Sequence, residues 1–172
     1  MDERPLLAHL PSEFMTWIWY ASVRDGGSMN LGADAGWVDV WVDDRIAFRA
    51  AGDDRPRAVM TGENAAEALE SRAALAGGRV VKELKLAIRR DDREFSVTLK
   101  NPTLDVAAVK LPGSMTGDEA IYERMALYEE LSYLVAALLR VFAVERTAED
   151  YKSTTLPRMR AWVGEAIGVS EV

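Results

Sequence analysis

Two periodicities run through the chain. Between Glu13 and Arg24, the residues Phe14, Trp17, Ile18 and Ala21 recur at i, i+3, i+4 and i+7, and Met15, Trp19 and Val23 form a second apolar line beside them. That spacing predicts a helix over 13–24, with Ser12 as its N-cap and Asp25-Gly26-Gly27 as its end. Only Thr16, Tyr20 and Arg24 make a semi-polar strip. An apolar girth this wide does not suit a helix with half its surface in water. Phe14, Trp17 and Trp19 are therefore expected either in a core between two layers of the chain or in an assembly interface with a second chain.

The second periodicity is two. WVDVWVD at 37–43 alternates, Asp44 and Arg45 read as a turn, and IAFRA continues as the second strand of a hairpin. RAVMT at 57–61 offers a third strand, and Asn64 with Glu67 opens a helix, AAEALESRAALA, that Gly77-Gly78 ends. From Arg79 the alternation resumes, with Val80, Leu84, Leu86 and Ile88 on one face and Val81, Glu83, Lys85, Ala87 and Arg89 on the other. Asp91-Asp92 turns the chain into a strand that points Phe95, Val97 and Leu99 inward, and 103–112 adds another.

The remainder reads as helix. A long one runs from Asp118 to about Glu145 with Tyr122, Met125, Leu131, Leu134, Leu138 and Phe142 as core positions. Thr147 and Asp150 pair to cap a short helix, and Pro157 sits early in a last helix through Trp162 and Ile167. The expected class is α+β: antiparallel hairpins packed with an aromatic N-terminal helix, a short middle helix and a C-terminal helical segment. One domain over 1–172 is expected, with helix and sheet mixed in 13–112 and helix alone in 113–172.

Composition narrows the function. At 172 residues, 49% hydrophobic and 28% charged, the chain can bury a substantial core. The net charge of -7 repels phosphate and anionic membranes, so any nucleic-acid contact must use a local basic face. Cysteine is absent, which removes disulfides and thiolate chemistry and fits a reducing compartment; the cytoplasm is expected. The opening MDERPLLAHLPSEF places acids before a short, broken apolar stretch, and no run approaches about 18 apolar residues, so neither export nor membrane spanning is expected.

Catalytic groups are sparse. His9 is the single histidine, which supplies neither a zinc ligand set nor a Ser-His-Asp unit. The acid pairs Asp43-Asp44, Asp53-Asp54 and Asp91-Asp92 occupy predicted turns, where Asp is favoured for local hydrogen bonding, and Glu129-Glu130 are helix neighbours that point apart. GADAG and AGG lack the glycine spacing of a phosphate-binding loop. The expectation is a protein without catalytic residues, metal, cofactor or small-molecule substrate.

Charge is uneven, however. Residues 79–112 hold eight Lys/Arg against five acids, a balance of +3, while the rest of the chain balances at -10. Lys85, Arg89 and Lys100 stand on the predicted outward face of the hairpin with Thr98, a track suited to phosphates that fix position rather than sequence. The plainer reading is that these charges solubilise an exposed sheet face and blunt its edges.

The order of EFMTWIWY, WVDVWVDDRIAFR, LAGGRVVKELKLAIRRDDREFSVTLKNPTLDVAAVKLP and ERMALYEELSYLVAALLRVF resembles the C-terminal part of the recombination-associated RdgC family. Gly78, Val81, Leu84, Leu86, Phe95, Leu99, Val109 and Lys110 match that family's layout of glycine turn, V-x-x-L-x-L strand, F-x-x-x-L strand and lysine-containing strand, with Arg79 where the family often has lysine. The resemblance implies a non-enzymatic protein that assembles into ring-like dimers around duplex DNA and binds it with little sequence preference. By that analogy Arg79, Lys82, Lys85, Arg89, Arg90, Lys100 and Lys110 are the candidate phosphate contacts, and Phe14, Trp17 and Trp19 the candidate interface of a homo-oligomer. The alternative is a protein-interaction module that assembles without nucleic acid.

Overall fold

The computed structural model describes residues 10–50, 58–62, 69–113, 117 and 120–165. It is an α+β fold with helices on one face of an antiparallel sheet. Helix α1 (Leu10–Val23) leads into a short 3-10 turn and strands β1 (Ser28–Asn30), β2 (Trp37–Ala50) and β3 (Ala58–Thr61). Helix α2 (Leu69–Ala76) precedes β4 (Arg79–Arg90), β5 (Arg93–Lys100) and β6 (Asp105–Lys110). Helix α3 (Ala120–Thr147), a π-helical turn (Tyr151–Thr155) and α4 (Leu156–Gly164) complete it. The sheet order is β1-β2-β4-β5-β6, with β3 also on β2. Because β4 lines one edge of β2 along most of its length, β1 and β3 share the other edge, at opposite ends.

The central strand corrects the hairpin expected over 37–50. Asp44 and Arg45 do not turn the chain; β2 runs straight through them, and its pairing with β4 skips from Val42 against Leu86 to Ile46 against Leu84. The intervening residues form a bulge that keeps Val42 and Ile46 on the same face. A second irregularity, with Ala47 opposite Glu83 and Phe48 opposite Val81, makes Lys82 the extra residue of β4. This moves Val81 to the face of Leu84, against the simple alternation. The Lys82 carbonyl accepts the Asn101 backbone N–H at 2.8 Å, and Asn101 Nδ2 donates to the Val81 carbonyl at 3.0 Å.

One sheet face is apolar over its centre. Val38, Val40, Val42, Ile46, Phe48, Val81, Leu84, Leu86, Ile88, Phe95, Val97 and Leu99 are all buried. Across it lies α1, whose buried residues Phe14, Met15, Trp17, Ile18, Trp19, Tyr20, Ala21 and Ser22 leave almost no wet side. Trp19 meets Phe48 at 6.1 Å between ring centroids and Trp162 of α4 edge-on at 5.1 Å. Phe14 and Trp17 meet Phe142 of α3 at 5.5 and 5.4 Å. The aromatic helix is thus the middle layer, with sheet below and α3 and α4 above. Phe14, Trp17 and Trp19 are 1%, 2% and 0% exposed within one chain, so the interface role assigned to them is corrected to a core role. Each such ring contributes about 1.5–3 kcal/mol by leaving water.

Helix ends differ from the reading in detail. Helix α1 starts before Ser12, so Ser12 is not its N-cap; its carbonyl accepts from Thr16 Oγ1 at 2.9 Å, and its hydroxyl accepts from Asn101 Nδ2. Thr147 does not cap the next turn; its hydroxyl donates back to Ala143 at 2.9 Å, and Asp150 makes no side-chain cap bond. Leu131, Leu134, Leu138 and Phe142 are buried as expected, whereas Tyr122 and Met125 are exposed. His9, Asp53, Asp54, Asn64, Glu67 and Ile167 lie outside the described residues.

Candidate functional site

The bulge in β2 positions the first cluster of charge. It carries Asp43 and Asp44 over Lys85 of β4, with Nζ at 3.0 Å from Asp43 Oδ2 and 2.9 Å from Asp44 Oδ1. The hydrogen bonds to Asp44 and then Asp43 raise the Lys85 pKa above the usual lysine value. Beside it, the Arg89 guanidinium lies 4.9 Å from the Trp41 ring centroid and 3.4 Å from Glu94. Arg45 reaches Glu83 at 3.4 Å.

The sheet register sorts the seven candidate phosphate contacts. Lys85, Arg89 and Lys100 share the open face of the sheet, and Lys110 joins them because it pairs with Ser96. Arg90 is on the other side of the sheet, 3.7 Å from Glu130 of α3, where Arg93 also ends at 2.6 Å. Lys82 occupies the bulge, and Arg79, opposite Ala50, falls on the same side as Val81. The seven therefore do not form one track. Four share a face, and two of those four, Lys85 and Arg89, are already neutralised by carboxylates.

Small side chains fill the spaces on the open face. Ala47, Ala87, Ser96 and Thr98 are buried, although no described helix covers them. The Ser96 hydroxyl makes no hydrogen bond among the described residues. Acidic and basic groups alternate across the same surface, so its field is mixed rather than positive.

Above α1, a second polar cluster ties the helices together. Glu13 accepts Tyr151 Oη–H at 3.0 Å and Arg146 Nε–H at 2.9 Å. Glu145 accepts Trp17 Nε1–H at 3.1 Å and the Thr155 hydroxyl at 2.9 Å. Burial, then the adjoining Glu13, holds the Tyr151 phenol well above the usual tyrosine range. All these groups satisfy one another and serve as structural clamps. Next to them an open groove of about 410 Å³ is lined by Ser12, Glu13, Thr16, Leu75, Leu156, Met159, Arg160 and Val163.

Asp43 and Asp44 converge on Lys85, whereas the other two described acid pairs do not converge on a common group. Asp91, at φ 56°, forms the β4–β5 turn with Asp92, while Glu129 faces outward and Glu130 faces Arg90 and Arg93. Among the described residues no cluster of three or more His, Asp or Glu is placed to hold a metal ion. No described helix is long and apolar enough to cross a membrane.

The feature that sequence reading missed is the outer face of α3. Tyr122, Met125, Glu129, Ser132, Ala136, Arg140, Ala143 and Thr147 are all exposed, at spacings of three and four. The signal was available, because that spacing defines a helix face as surely as the buried one does. Tyr122 and Met125 were drawn to the core by their apolarity, although they sit roughly 120–180° around the helix from Leu127 and Leu134. No family model, curated protein or solved structure matches the chain.

Proposed function

We propose that the protein is a non-enzymatic assembly module that binds another polypeptide along the outer face of α3. One observation carries this reading: Ile121, Tyr122, Met125 and Tyr128, 61%, 74%, 62% and 45% exposed, stand together over the first turns of that helix. Scattered single apolar residues are ordinary on a surface, whereas four large ones on two helical turns mark a contact surface. The test is Tyr122→Asp combined with Met125→Asp. The variant should keep its stability within the range of a surface change, about 0.5 kcal/mol, and give a smaller particle than the unaltered chain in light scattering. An unchanged particle mass refutes it.

The resemblance to the RdgC family supports a second reading, sequence-independent DNA binding on the open sheet face. Lys100 and Lys110 favour it, since neither makes an ion pair among the described residues, and the unpartnered Ser96 hydroxyl lies across from Lys110. The pairing of Lys85 and Arg89 weighs against it, because phosphate must compete with carboxylates already in place. Duplex DNA titrated over a salt series decides: two phosphate contacts give a slope of log K against log salt near about -2, lost in Lys100→Glu with Lys110→Glu. No binding at low salt ends this reading.

A further inference from the structure

Resting on the assembly reading, the α3 surface specifies its own partner. We infer that two copies of the chain pair antiparallel along α3, related by a two-fold axis that passes between Leu134 and Val135.

Two charges on the exposed stripe point to this geometry. Glu129 and Arg140 both lie on it, and neither has an ion-pair partner among the described residues. Within one helix they cannot meet, because eleven residues of rise separate them by roughly 16 Å. An antiparallel two-fold between positions 134 and 135 brings each residue of one copy opposite the residue equally far beyond the axis in the other. Glu129 then faces the partner's Arg140, and Arg140 faces the partner's Glu129, closing two ion pairs with one symmetry operation.

The same operation relates further residues of this surface. Met125 comes level with the partner's Val144, which borders the stripe about 100° farther round the helix, and both are exposed, at 62% and 67%. Ser132 and Ala136, the exposed residues nearest the axis, are small and let the two helices approach closely where they cross. Polar Thr147 falls opposite Tyr122 at each end, where the phenol remains within reach of water. A parallel arrangement gives none of this: Glu129 would face Glu129, and Arg140 would face Arg140. Because an isologous contact closes on itself, the product is a dimer rather than a filament.

Charge exchange tests the geometry directly. Glu129→Arg and Arg140→Glu are each solvent-facing changes, and each should weaken the dimer at least about tenfold in analytical ultracentrifugation, by placing like charges opposite one another at both ends of the contact. Mixing the two variants should restore the dimer as a heterodimer, since both arginines of one copy then face both glutamates of the other. The double variant should recover it as a homodimer. If the chain dimerises, Tyr122→Asp with Met125→Asp abolishes the dimer, and neither charge variant changes it, then the pairing scheme is wrong while the α3 contact stands. Single variants that weaken the dimer without recovery on mixing also overturn the scheme. A chain that stays monomeric at all concentrations overturns both readings.

Discussion

Replacing Trp19 by alanine separates a helix that is core from one that is interface. Its indole is fully buried, edge-on to Trp162 and tilted against Phe48, with both partners in the same chain. Truncating a buried Trp to Ala typically costs about 3–5 kcal/mol, from lost transfer energy and the cavity left behind. Two aromatic contacts at 5.1 and 6.1 Å place this site at the upper end of that range. Against a total stability of about 5–15 kcal/mol, the loss is a large share. Trp19→Phe keeps a ring in the site and should cost about 1–2 kcal/mol, which guards against a variant too unstable to measure. Urea unfolding followed by far-ultraviolet circular dichroism reads both. The midpoints should fall by the same amount at low and high protein concentration, because the contacts are intramolecular. A cost below about 1 kcal/mol for Trp19→Ala, or one that varies with concentration, would falsify the middle-layer placement of α1.

Three further outcomes follow from local geometry. Gly27, at φ +77°, has no room for a side chain, since a Cβ there falls 2.3 Å from the Val40 carbonyl oxygen, while Gly26, at φ +69°, opens onto free space. Gly26→Ala should cost about 1–2 kcal/mol for the left-handed backbone alone, and Gly27→Ala distinctly more by denaturant melt; equal costs contradict the close approach. Tyr151 keeps its proton in the folded chain to higher pH than in the unfolded one, so above about pH 10 the unfolded state ionises first and stability falls as pH rises. Tyr151→Phe should flatten that alkaline decline in thermal melts, and an unchanged slope contradicts it. Lys85→Ala breaks two partly exposed ion pairs and should shift stability by no more than about 1 kcal/mol, an effect that shrinks in high salt; a larger, salt-insensitive loss means the bulge depends on that ammonium.

Much of the fold was legible because its signals are local. The β4–β5 hairpin follows from alternating apolar residues around Asp91-Asp92, and the burial of α1 follows from its apolar girth. The long strand β2 was hidden for a physical reason: a bulge inserts polar residues in mid-strand, and Asp44-Arg45 is the same chemical signal as a turn. Only the partner strand, some forty positions on, decides between them. The candidate cations illustrate the same limit. Lys85 looks free in sequence, yet its two carboxylates come from across the sheet, and Glu130, which occupies Arg90 and Arg93, comes from a helix beyond it. Charge in sequence reports what a residue carries, and only tertiary placement reports what is left over for a ligand.

The position of α1 also sets the order in which the chain can finish folding. Its aromatic residues are made early, but Trp17 bonds to Glu145, 128 positions later, and Glu13 to Tyr151, 138 positions later. At translation rates of about 5–20 residues per second, Trp17 waits roughly 6–26 s before that partner exists. The strands of the sheet are completed only at Lys110, so this strongly apolar segment first lacks its sheet and then, once the sheet is made, still lacks its lid. A nascent chain stalled before α3 should therefore be a strong client for chaperones that capture exposed aromatic helices, and release from them should coincide with the synthesis of the last helices.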